Sequence, residues 1–202
     1  MNAKQILDLF TEKDGFRWAL AMPHRANGYL YASNGCAAVR IADDQSVECC
    51  EKSDSKSFID LPVSVESLLS RTPEGKDYLP VSLPDPELKS CKECDGRGHL
   101  DKCPDCDGDG WFWHGRHDYE CKECEGHGRV SSTSGSKCED CDGAGKIEAD
   151  IKYRGAVFSA SQIRAIAALP GAELANPAFN GAVRFRFTGG EGLIVPLNNS
   201  WV

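Results

Sequence analysis

No apolar run in this 202-residue chain approaches the roughly 18 residues of a bilayer span, so a membrane-crossing helix is not expected. The opening Met-Asn-Ala-Lys-Gln-Ile-Leu-Asp-Leu-Phe lacks the charged start and long apolar centre of a secretory signal, and a cytoplasmic location is expected. There is no Ser/His/Asp order, no glycine loop of the phosphate-cradling kind and no paired acid that stands out. The expectation is a protein that is not an enzyme. Hydrophobic and aromatic contents of 41% and 8% are those of a soluble globular protein. The length suffices for one good core plus a small module held by something other than a core.

What the chain does have is one eight-residue pattern, CxxCxGxG, four times over, starting at Cys91, Cys103, Cys121 and Cys138. Four thiolate pairs suffice for two tetrahedral zinc sites, with Zn–S distances of roughly 2.3 Å. A Cys-x-x-Cys turn chelates only if the chain bends after the second Cys. The first glycine tolerates positive φ and exposes an amide that can donate to a ligating sulfur; the later glycine frees the exit. Disulfides are the alternative reading, disfavoured by pairs two apart among Asp, Lys and Gly with no secretory signal. Thioredoxin-type redox chemistry wants a single pair at a helix start. Spacers of eight, fourteen and thirteen residues allow either sequential or nested pairing of the motifs.

The repeat resembles the cysteine-rich zinc domain of the DnaJ (Hsp40) co-chaperones over residues 91–145, about a quarter of the chain. That resemblance implies a hairpin-rich, V-shaped module with little hydrophobic core and two Zn2+ ions. Carried over by motif, it implies one ion on Cys91, Cys94, Cys138 and Cys141, and the other on Cys103, Cys106, Cys121 and Cys124. It also implies a holdase or thiol-exchange role toward unfolded clients. The sequence contains no His-Pro-Asp triplet and no Gly/Phe-rich linker, so stimulation of an Hsp70 ATPase is not expected. His99, His114, His117 and His127 are read as surface or supporting groups, since eight cysteines already fill two sites.

Acidic residues outnumber basic ones by 13 to 7 over 91–145, against 14 to 10 before it and 4 to 6 after it. Eight thiolates and two Zn2+ would take this stretch from −6 to −10. Such a surface repels phosphate backbone and suits a protein partner or a basic peptide. Between the second and third motifs, residues 111–119 form an expected hairpin. It carries Trp111, Phe112, Trp113 and Tyr119, more aromatic surface than a tiny module can bury. Either they pack as its small core or against the rest of the protein, or they are exposed anchors for a partner.

Before the module, residues 2–12 read as a helix with Asn2 and Gln5 in a capping box and Ala3, Ile6, Leu7 and Phe10 on one face. Residues 16–22 alternate as a strand. Residues 28–33 and 36–42 form a hairpin about Asn34-Gly35, with Cys36 a small buried hydrophobe and Cys49-Cys50 outside any metal site. Residues 43–57 read as a mobile connection, 58–62 as a short strand and 63–70 as a short helix made by Val65, Leu68 and Leu69. The prolines of 78–86 impose an extended linker.

After the module, 146–153 alternates as one strand that 157–158 can extend, and Ser159 to Gln162 makes a capping box for a helix ended by Pro170-Gly171. In that helix Ile163, Ile166, Ala167 and Leu169 form the apolar face. Residues 182–187 and 193–197 pair about 188–192. Neither flank has apolar surface enough to stand alone, so the fold expected is α+β: residues 1–88 and 146–202 as one domain, with 89–145 inserted as the zinc module.

Segments 28–41, 58–69 and 183–197 are faintly similar to DNA sliding clamps, which implies a clamp-like domain and a role in replication or recombination. Nucleic acid would then be met through the α+β domain alone. Arg184 and Arg186, on one strand face and helped by Lys152, Arg154 and Arg164, are the candidate phosphate contacts. Oligomerisation is compatible with everything above.

Overall fold

The computed structural model describes residues 1–12, 20–50, 60–72, 77–177 and 181–197. The chain divides into two compact units, Met1–Pro84 with Asp150–Val202, and Asp85–Ala149.

The first unit is a mixed α/β domain built on a seven-stranded antiparallel sheet. In spatial order its strands are His24–Ala26, Tyr29–Ser33, Ala37–Ala42, Gly190–Ile194, Val183–Phe187, Glu173–Leu174 and Leu79–Pro80. Three strands from before the inserted unit are followed by three from after it and then by a last one from before it, all in one ladder. One face carries Leu30, Val39, Ile41, Phe185 and Ile194 into the main core. Helix α1 (Ala3–Asp8), with Phe10 in the turn after it, and helix α3 (Ala160–Ala167) cover that face through Leu7, Phe10, Ile163 and Ile166. The short hairpin of Ile151–Tyr153 and Ala156–Phe158 adds Ile151 and Phe158. On the other face, helix α2 (Leu61–Arg71) sets Leu61, Val65 and Leu69 against Tyr31, Ala38 and Leu193.

The local signals explain most of these elements. Asn2 and Gln5 make the reciprocal capping box, though α1 ends at Asp8 rather than running to 12. The hairpin at Asn34-Gly35 forms with a loop over 34–36, because the Asn34 side chain accepts from the amides of Cys36 and Ala37 at 3.1 and 2.9 Å. That loop leaves Cys36 exposed, not buried. Asp60 caps α2 by accepting from the Val63 amide at 3.3 Å, so Leu61 and Pro62 are helical and the expected strand over 58–62 is absent in its described part. Leu68 faces solvent. Of the expected strand at 16–22, residues 16–19 lie outside the described ones and 20–22 are not extended into a ladder. Residues 43–50 are tied down by Arg25, which bonds Asp43 at 2.8 Å and the carbonyls of Asp44 and Val47; 51–57 lie outside the described residues. Ser159 stands at the N-cap of α3, but its hydroxyl meets Ser161 and caps no amide.

Two departures have a common cause. The strand after the last turn begins at Gly190, not 193, and the turn is only Thr188-Gly189. Gly190 and Gly192 are strand residues because the rings of Phe187 and Phe185, their cross-strand partners, lie over them. A Cβ on Gly190 would stand 2.6 Å from Phe187 Cζ, and on Gly192 closer still to Phe185. Glycine reads as a turn in sequence; here it is a floor for an aromatic ring.

Candidate metal centres

The second unit begins and ends in one ladder, Leu88–Ser90 against Lys146–Glu148, closed by the Ala149 amide on the Glu87 carbonyl at 2.7 Å. Residues 146–153 are therefore two strands, broken after 148, rather than one. Between these ends lie a three-stranded sheet, Ser136–Lys137, His99–Lys102 and Arg129–Ser132, and the ribbon of Trp111–His114 with His117–Glu120.

Its buried side chains are chiefly sulfur. Cys91, Cys94, Cys138 and Cys141 form one buried cluster with Leu100; Cys103, Cys106, Cys121 and Cys124 form the other. Within each cluster all four sulfurs lie within 4.8 Å of one another. The motifs are thus nested, the first with the fourth and the second with the third. Sulfur separations are 3.8 Å for Cys91–Cys138 and 3.7 Å for Cys94–Cys141, and 3.8 and 3.7 Å for Cys103–Cys121 and Cys106–Cys124. Four thiolates at 2.3 Å from one tetrahedral ion stand about 3.8 Å apart. A disulfide needs about 2.05 Å. The clusters have the dimensions of metal cages, and no histidine enters them.

Each site is two knuckles docked backbone to backbone. The Cys91 amide donates to Gly145 O and the Cys138 amide to Gly98 O, both at 2.9 Å; Cys103 to Gly128 O and Cys121 to Gly110 O repeat this at 2.9 and 2.8 Å. The earlier glycines take positive φ as expected, between 77° and 92°, but the amide that meets sulfur belongs to the later one. The later glycine donates to sulfur: Gly98 to Cys94, Gly110 to Cys106, Gly128 to Cys124 and Gly145 to Cys141, at 3.1 to 3.2 Å. The earlier one closes the turn onto a carbonyl, as Gly96 does on Cys91 O. A Cβ on Gly98 would run into the Gly143 carbonyl, and one on Gly145 into that of Gly96. Nothing in the spacing foretold this, since the obstacle is the other motif.

Sequence reasoning also missed Asp95, Asp107, Glu125 and Asp142, which directly follow the second cysteines at φ between 47° and 51°. Aspartate's tolerance of the left-handed region was the available signal at three of the four.

A Gly98→Ala protein is expected to lose at least about tenfold in metal affinity at the first site, since the methyl forces the two knuckles apart. Gly115→Ala, where a Cβ meets nothing within 4 Å, is the control for left-handed strain alone. Chelator competition on both proteins reads the difference.

Burial raises the thiols of Cys91, Cys103, Cys124 and Cys138, the last two to about 12. Burial pushes Cys94 and Cys106 upward too, but the Gly98 and Gly110 amides and neighbouring thiols outweigh it, lowering Cys94 and bringing Cys106 to about 7. Before metal binds at neutral pH, most of these thiols hold protons that a metal must displace. Affinity should therefore fall as pH falls, by more than about tenfold per unit between pH 8 and 6. A chromophoric chelator titration giving a flat profile would contradict this.

The remaining candidates belong to neither cluster. The side chains of Trp111, Phe112, Trp113 and Tyr119 are all exposed, Trp113 by 76%, so they are no mini-core. Arg184 is buried in the first unit, donating to the Leu69 carbonyl. Arg186 reaches Glu173 and lies 4.3 Å over the Tyr78 ring. Both line a cleft of about 560 Å3 with Arg40, which is itself held by Glu66 and by Glu191 at 2.6 Å. An anion entering there would have to displace these carboxylates. Arg154 and Arg164 are engaged with backbone carbonyls, at Asp77 and Leu174 and at Pro84.

The chain matches no protein-family model, and no curated protein or solved structure is significantly similar to it. What the geometry defines is a class: a cysteine-rich module with two four-cysteine clusters, each able to coordinate a metal ion. No helix among the described residues is long and apolar enough to cross a membrane.

Proposed function

We propose that this chain is a non-enzymatic two-zinc protein that acts as an interaction adaptor, its Asp85–Ala149 unit presenting an acidic, aromatic surface to a protein partner. Zinc is favoured because four soft thiolates in tetrahedral array are its usual structural cage. Four protein ligands per ion leave no open position for a substrate, which argues against a catalytic metal. The nested knuckles, which the resemblance to DnaJ zinc domains implied, are compatible with a module of that type.

The observation that carries the reading is the ribbon. Trp111, Phe112, Trp113 and Tyr119 stand 42, 44, 76 and 55% exposed on two strands exposed at every position. Large aromatics left in water, on a ribbon with no layer to protect, are typical of binding anchors.

The test is a pull-down from the source lysate with the zinc-loaded full chain, the chelated chain and the Trp111→Ser/Trp113→Ser variant. A protein retained by the first and lost from both others supports the adaptor. Salt-sensitive binding of duplex DNA at low ionic strength would instead favour the clamp-like reading. Suppression of the aggregation of a denatured protein would favour a chaperone-like one.

A further inference from the structure

The two faces of the aromatic ribbon differ in chemistry. Its register sets Trp111 opposite Glu120 and Trp113 opposite Asp118, with Phe112 opposite Tyr119 and His114 opposite His117. Because strand side chains alternate, one face carries two indoles and two carboxylates. The other carries Phe112, Tyr119 and the two imidazoles, and no acid. The Glu120 carboxylate lies close to Gly126 at the base of the ribbon: a Cβ on that glycine would stand 2.9 Å from it. No cation–π contact among the described residues involves Trp111 or Trp113, so both indoles are open to an outside cation.

From this we infer that the ligand of the indole–carboxylate face is an extended, cationic peptide segment, its Lys or Arg side chains laid over Trp111 and Trp113 with Asp118 and Glu120 beside them. The inference rests on the adaptor reading and narrows it to a face and a partner chemistry. Tryptophan is the strongest aromatic partner for a cation, and a carboxylate on the same face supplies a full opposing charge. Alternate residues of an extended peptide project to the same side, matching the spacing of Trp111 and Trp113 along their strand. The wider field has the same sign. Residues 85–149 hold 16 acidic and 9 basic side chains, against 15 and 14 in the rest of the chain. Cationic segments are therefore steered toward this unit and not toward the other.

The experiment uses fluorescein-labelled nonapeptides of alternating Lys and Val, or Glu and Val, titrated against the zinc-loaded full chain by anisotropy. Metal content is measured on every variant to exclude loss of fold. The lysine peptide should bind and the glutamate peptide should not. Trp113→Ser should weaken binding by at least about tenfold and Asp118→Asn by about threefold, the size of one desolvated and one exposed cation contact. Phe112→Ser/Tyr119→Ser should change it less than about threefold. Equal losses from the two faces, equal binding of both peptides, or no binding of either would overturn the inference. If the lysine peptide fails while the lysate partner still depends on Trp111 and Trp113, the adaptor stands and only this narrowing falls. If the partner does not depend on them, the adaptor itself falls.

Discussion

Stripping the metal should unfold Asp85–Ala149 while the seven-stranded sheet keeps its structure. Apart from the eight cysteines, the buried apolar residue of this unit is Leu100, with Ile147 and Val130 packed half-buried against the two clusters. One leucine and two half-buried side chains are too little core to hold a unit of this size. On the two-zinc reading, metal–thiolate bonds supply what the core lacks. In chelator and reductant, amides of 91–145 should lose their hydrogen-exchange protection and those of 183–194 should keep it. Replacing a single ligand, as in Cys94→Ser, should release one ion of two and loosen the knuckles of that site alone. Protection of 91–145 that survives chelation would mean that backbone ladders suffice without metal, and the account of this unit would be wrong.

The other large effect is expected at Phe185, the centre of the main core. Its ring is fully buried, stacked on Phe10 at 5.7 Å and near Phe187 at 6.2 Å, and it lies across Gly192. Phe185→Ala should cost about 3–5 kcal/mol through lost burial and the cavity left behind. Thermal unfolding would then start some 10–20 °C lower. Gly192→Ala should cost about 1–3 kcal/mol for the opposite reason, since its methyl competes with the same ring and with the Ala38 carbonyl of the next strand. In the double variant the methyl enters space the ring has vacated, so the losses should fall short of additivity by about 1 kcal/mol. The Ala38 carbonyl stays in place, and rescue is incomplete. Metal content should remain at its wild-type level in all three. Strict additivity would show that ring and glycine do not share that space.

How legible the protein is from its residues depends on how far each interaction reaches along the chain. Asn2 with Gln5 and Asn34-Gly35 between apolar runs act within a few residues, and a helix start and a hairpin appear where they stand. Asp60, expected in a strand, caps a helix instead. The same glycine signal misled at 190 and 192, because the ring that needs it comes from the neighbouring strand. Cys36 is exposed against expectation for a similar reason: apolar character does not fix what a loop exposes. Arg184 and Arg186 share a strand face as their spacing requires, yet α2 covers one of them and leaves the other to Glu173 and Tyr78.

The cysteine motif divides along the same line. Chelation by two thiols three residues apart is a local event, so a pair of ligands at each motif follows from the letters, and so do the total of eight and the turn after each. Which motif meets which depends on how strands such as Ser136–Lys137 and His99–Lys102 align across the module. So does the use of one knuckle's glycine as the seat for the other's backbone. Those are contacts between residues far apart in the chain, and folding alone selects them.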